Sequence, residues 1–63
     1  MTRYRCYFFG GNGQLVGAET IFSDSDNEAR DAARRWFASR AYATSFELRD
    51  GSRLVDAQEA RAS

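Results

Sequence analysis

Residues 3–9 alternate along the chain. Arg3, Arg5, Tyr7 and Phe9 fall on one side, and Tyr4, Cys6 and Phe8 on the other. Aromatic enrichment with period two predicts a strand. Gly10-Gly11-Asn12-Gly13 follows as a turn, and Gln14 to Phe22, apolar and partly β-branched, predicts a second strand. Ser23-Asp24-Ser25-Asp26-Asn27 signals a helix start. Ser25 with Glu28 three residues later fits a capping box, and the clustered carboxylates suit the positive end of the helix dipole. The helix is expected over 26–41. Its apolar positions Ala29, Ala32, Ala33, Trp36 and Phe37 form the i, i+3, i+4, i+7, i+8 stripe of one face, which predicts a buried Trp36. Phe46 to Arg49 predicts a third strand, Asp50-Gly51 a tight turn, and Arg53 to Val55 a short fourth strand. Beyond Asp56 the chain is polar and Ala-rich, and 57–63 is expected to fray.

The two turns bear on register. Asn12-Gly13 and Asp50-Gly51 could each form a two-residue type I′ loop, which would set Phe8 against Gly17 and Leu48 against Arg53. Three-residue loops, Gly11-Asn12-Gly13 and Arg49-Asp50-Gly51, instead set Tyr4, Cys6 and Phe8 against Thr20, Ala18 and Val16, and Arg5 against Glu19. They also set Phe46 against Leu54 and Glu47 against Arg53. This second choice separates apolar from charged residues and pairs opposite charges. A one-residue slip exchanges the faces, so consistency favours the three-residue loops.

The predicted fold is α+β, with element order β-β-α-β-β. It is one antiparallel sheet with the helix packed on one face. The helix joins the second and third strands, which then run parallel with the first between them, and the spatial order is 2-1-3-4. The inner face is expected to hold Tyr4, Cys6, Phe8, Val16, Ala18, Thr20, Phe22, Phe46, Leu48 and Leu54 beneath the helix stripe.

The chain has 63 residues, which points to a single domain over 1–63. So short a chain buries only about 60% of the surface it exposes when unfolded. One Cys allows no disulfide within the chain, and with no His there is no Cys/His zinc site. Stability must come from packing or from a second subunit. A composition that is 43% hydrophobic and 14% aromatic is that of a globular chain. No apolar run approaches the roughly 20 residues of a membrane span, and a cytoplasmic location is the default expectation. The formal net charge is zero, so nonspecific attraction to nucleic acid or anionic lipid is not expected.

Residue chemistry argues against an enzyme. Cys6 lies mid-strand with no His as base and reads as a small buried hydrophobe. Asp24, Asp26 and Glu28 could in principle hold Ca²⁺ or Mg²⁺, but helix capping explains them, and no metal or cofactor is expected. The Gly-rich turn lacks phosphate-loop spacing and opens no helix. The outer sheet face is more informative. In the chosen register it carries Arg3, Arg5, Tyr7, Phe9, Leu15, Ile21 and Arg53, together with Glu19, Glu47 and Val55. That face is too apolar for a simply solvated sheet, and exposed apolar patches mark interaction surfaces. Homodimerisation or docking of a protein partner is the favoured expectation. The alternative is single-stranded nucleic-acid binding by the Arg and aromatic residues of the same face.

Arg3-Tyr4-Arg5-Cys6-Tyr7-Phe8, the stretch from Ser23 to Ala29 and the segment Phe46-Glu47-Leu48-Arg49-Asp50-Gly51-Ser52-Arg53-Leu54-Val55 carry a resemblance. Together they resemble a group of very short, uncharacterised alphaproteobacterial proteins whose last hairpin often reads Glu-Leu-Trp-x-Gly-x-Arg-Leu-Val. This chain has Arg49 where that pattern has Trp. The resemblance implies a domain of unknown function from a bacterial source and carries no active site across.

Overall fold

A computed structural model describes residues 1–59. Strand β1 (Thr2–Phe9) pairs antiparallel with β2 (Leu15–Ser23) and with β3 (Ser45–Asp50), and β3 pairs antiparallel with β4 (Arg53–Glu59). Helix α1 (Asp26–Ala38) joins β2 to β3, and the strand order is β2-β1-β3-β4. The predicted element order and sheet topology are those observed. β4 runs on through Glu59, past the start of the expected frayed tail, and 60–63 lie outside the described residues.

The helix starts as its capping residues dictate: the Glu28 amide donates to Ser25 Oγ at 3.2 Å. It ends three residues short of expectation. The Ser39 amide and hydroxyl both donate to the Trp36 carbonyl, at 3.2 and 2.9 Å. The chain then turns so that the Thr44 amide donates to the Phe9 carbonyl at 2.8 Å, fastening the loop to the end of β1. This places Ala43 in the core, a contribution the helical stripe did not announce.

Under the helix lie Tyr4, Cys6, Phe8, Ile21, Phe46 and Leu48, capped by Ala29 and Ala33, whose small side chains let the helix sit close to the sheet. Phe37 meets Phe46 edge to face with centroids 5.1 Å apart. Trp36 departs from expectation and is 41% exposed. Ala29, Ala33 and Phe37 form the centre of the stripe, and Trp36 lies about 60° round the helix from Ala33. There its ring borders the core instead of entering it.

The first loop is the predicted three-residue turn. Gly10 donates to the Gln14 carbonyl at 2.8 Å, Gly13 donates to the Gly10 carbonyl at 2.9 Å, and Gly13 takes the left-handed φ of 81°. The expected register nevertheless fails. Phe9 opposes Leu15, but Phe8 opposes Gly17, so Val16 is an extra residue, a bulge. From there Cys6 opposes Glu19, Arg5 opposes Thr20 and Tyr4 opposes Ile21, and the faces of β2 are exchanged. Ile21 is buried while Phe22 is 60% exposed, and Ala18 and Thr20 also face away from the helix. The physical reason lies on the loop after the helix. Arg40 sits with its guanidinium over the Phe8 ring at 4.8 Å and beside Trp36 at 5.1 Å, and it binds the Glu19 carboxylate. With Glu19 on the outer face, this largely buried cation would lack its counter-charge.

The second hairpin departs at the loop itself, which has two residues in place of the expected three. Its loop is Gly51-Ser52, with Gly51 at φ 62° in the first central position, the geometry of a type II′ turn. Asp50 opposes Arg53, Arg49 opposes Leu54 and Leu48 opposes Asp56, leaving Val55 as a second bulge. Leu54 therefore lies on the open side, 50% exposed, and Arg53 on the helix side, where it too is exposed. Arg53 donates through both terminal nitrogens to Asp26 at 3.1 Å and to Asp50 at 3.2 Å. This ionic clasp between helix start and hairpin favours the Gly51-Ser52 loop over the expected Arg49-Asp50-Gly51.

Candidate functional site

The helix covers one side of the sheet, and the opposite side is open. Residues directly opposite in an antiparallel ladder share a face, so register arranges the open side in rows across the strands. The central row reads Ala18, Tyr7, Glu47, Ala57 from β2 to β4. The next row toward the start of β1 reads Thr20, Arg5, Arg49, Leu54, and beyond it stand Phe22 and Arg3. On the other flank the row reads Leu15, Phe9, Ser45, Glu59.

Five of the seven sequence-predicted surface residues, Arg3, Arg5, Tyr7, Phe9 and Leu15, stand together on this face. The other two do not belong to it. Ile21 is 5% exposed and packs beneath the helix, because the Val16 bulge reverses its side. Arg53 is on the helix side, held by Asp26 and Asp50. Phe22, Leu54 and Arg49 join the face in their place, and sequence reasoning missed Phe22 and Leu54 because it assigned both to the core. The only sequence signal for the reversal is Glu19, an acidic residue whose partner Arg40 is 21 positions away.

The electrostatics of the face are uneven. Arg49 binds Glu47 at 3.1 Å, and Arg5 lies over the Tyr7 ring at 5.8 Å. Arg5 is also directly opposite Arg49. Arg3 and Arg5 make no ion pair among the described residues. At the far flank Phe9, Ser45, Glu47, Ala57 and Glu59 line an open hollow of about 320 Å³.

The groups that could have carried chemistry are committed elsewhere. Asp26 accepts from Tyr4 Oη at 2.7 Å as well as from Arg53. Those hydrogen bonds, Arg53 first, hold its carboxyl down at about 2, and the same carboxylate pushes the Tyr4 hydroxyl up. Burial pushes the Cys6 thiol up to about 12, where it stays protonated at neutral pH. Among the described residues no three His, Cys, Asp or Glu side chains are grouped to hold a metal ion. No helix among them is long and apolar enough to cross a membrane.

The arrangement offers contact chemistry: three aromatics, two exposed leucines and two uncommitted guanidinium groups on one sheet face. Comparison with protein-family models, with curated proteins and with solved structures finds no match for this chain.

Proposed function

We propose that the protein is a small non-enzymatic interaction module that self-associates or docks a protein partner through its open sheet face. The observation that carries this reading is the exposure of Phe22, Leu15 and Leu54, at 60%, 57% and 50%, around the half-buried Tyr7 and Phe9. Aromatics flanked by Arg are the residue types that anchor interfaces. The chain is also too small to spare apolar side chains from its core without another use for them.

Analytical ultracentrifugation over a dilution series tests the reading. The double variant Phe9→Ser, Leu15→Ser should stay folded by circular dichroism and lose any association the wild type shows, including capture of a partner from extract. Association unchanged in that variant would overturn the assignment to this face. A second reading has one observation in its favour: Arg5 stands between Arg49 and Tyr7 without a carboxylate of its own. Titration of mixed-sequence single-stranded RNA or DNA at low salt tests it, and binding that falls steeply with salt would move the function to nucleic acid.

A further inference from the structure

The open face is self-complementary, and from this, building on the interaction reading above, we propose that its partner is a second copy of the same chain, packed face to face with strands antiparallel. Place a two-fold axis in the plane of the interface, crossing the strands midway between the Tyr7 row and the Arg5 row. The Tyr7 row of one copy then meets the Arg5 row of the other, and the Phe9 row meets the Arg3 row, each along the same strand. Arg49 meets Glu47 of the second copy, and Arg5 meets Tyr7. Arg3 meets Phe9, Phe22 meets Leu15, Leu54 meets Ala57, and Thr20 meets Ala18. Every Arg faces either a carboxylate or an aromatic ring, and no like charges are opposed.

Two further observations agree with this placement. Arg3, which makes no ion pair among the described residues, comes to the hollow bordered by Phe9, Glu47 and Glu59, an acidic and aromatic receptor for a guanidinium. The area is also sufficient. A stable interface takes about 800 Å² from each partner, on the order of a fifth of the 4219 Å² this chain exposes. One broad face of a body measuring 34 × 19 × 14 Å supplies about that share. Facing sheets rotate by about 30°, which displaces the outer columns most and leaves the pairs on β1 and β3 nearest the axis in register.

The test is a charge exchange. Arg49→Glu puts two carboxylates opposite each other at both symmetry-related contacts, and Glu47→Arg puts two guanidinium groups there. Each variant alone should self-associate about tenfold or more weakly than wild type. An equimolar mixture should recover association, because both contacts of the mixed pair are again Glu opposite Arg. Arg3→Ala, at an exposed position, should weaken association with no change in the unfolding midpoint of the dilute chain. Sedimentation equilibrium reads the wild type and these four samples, with circular dichroism confirming the fold. A wild type that stays monomeric to millimolar concentration overturns the second-copy proposal while leaving a foreign partner for the face. A wild-type dimer in which neither single charge variant weakens association, or in which mixing restores nothing, overturns the pairing. In that event the Phe9→Ser, Leu15→Ser variant decides separately whether the open face is the interface.

Discussion

The two sides of the sheet are built from the same residue types and are treated in opposite ways. On the helix side, Arg40 stands over Phe8 and Arg53 shares the Asp26 carboxylate with Tyr4, so each guanidinium holds a carboxylate of its own chain. On the open side, Arg3 stands opposite Phe22 and Arg5 over Tyr7, and neither holds a carboxylate among the described residues. The covered side is satisfied locally, so its cations act as structural parts. On the open side the same pairing of cation and ring is left unfinished. The difference shows that Arg beside an aromatic does not by itself signal recognition; what matters is whether the fold has already supplied the counter-charge.

The contrast can be broken most forcefully by truncating one aromatic on each side. Phe8→Ala empties a fully buried position and should cost about 3–5 kcal/mol, enough to unfold most of so small a domain. Phe22→Ala, on the open side, should change the stability of the dilute chain by no more than about 0.5 kcal/mol. Urea denaturation followed by circular dichroism measures both, and similar losses would mean that the open side is not open. A smaller effect separates the carboxylates. Glu19→Gln leaves the Arg40 guanidinium between two rings without its counter-charge, and the melting midpoint should fall by on the order of 5 °C more than for Glu47→Gln. Equal midpoints would remove Arg40 as the reason for the register of β2.

The gentlest test uses acid. The carboxyl of Asp26 titrates at about 2 in the folded chain, below its ordinary value of 3.8. Since the folded value is the depressed one, the clasp with Arg53 and Tyr4 contributes its stability above about pH 4 and loses it as pH falls toward 2. Asp26→Asn should be less stable than wild type at neutral pH, and the gap should close across that window. A gap that stays constant down to pH 2 would show that the clasp is not linked to protonation.

The period-two pattern of β1, the capping residues and the Gly11-Asn12-Gly13 turn made the elements and the strand order legible from residues alone, because each depends on neighbours within a few positions. Five of the seven proposed face residues were legible for the same reason, since β1 supplies four of them. The side on which Ile21, Phe22, Arg53 and Leu54 fall was not. Ile21 and Phe22 are set by the one-residue bulge at Val16, Arg53 and Leu54 by the two-residue Gly51-Ser52 loop, and each device accommodates an ion pair closed across the fold, Glu19 with Arg40 and Asp26 with Arg53. Sequence separations of 21 and 27 residues hide such pairs from any periodicity. Trp36 misled for a related reason: its spacing marks the apolar stripe, but the ring is used at the margin, against Arg40.

The bulges at Val16 and Val55 have a consequence beyond side-chain placement. They lie in β2 and β4, the two outermost strands of the sheet. An uninterrupted outer strand offers its row of amides and carbonyls as a template, and a copy added there exposes a fresh template in turn, so growth has no natural end. A bulge breaks the row and twists the strand away from a straight neighbour. Both ends of this short sheet are blunted in that way, although the chain has no Pro and little charge on β2 to do it. Contact through the broad face, by contrast, consumes the surface that made it and stops at two. The same pair of extra residues thus blunts both edges of the sheet against open-ended strand pairing and leaves the broad face as the surface for the proposed closed pair.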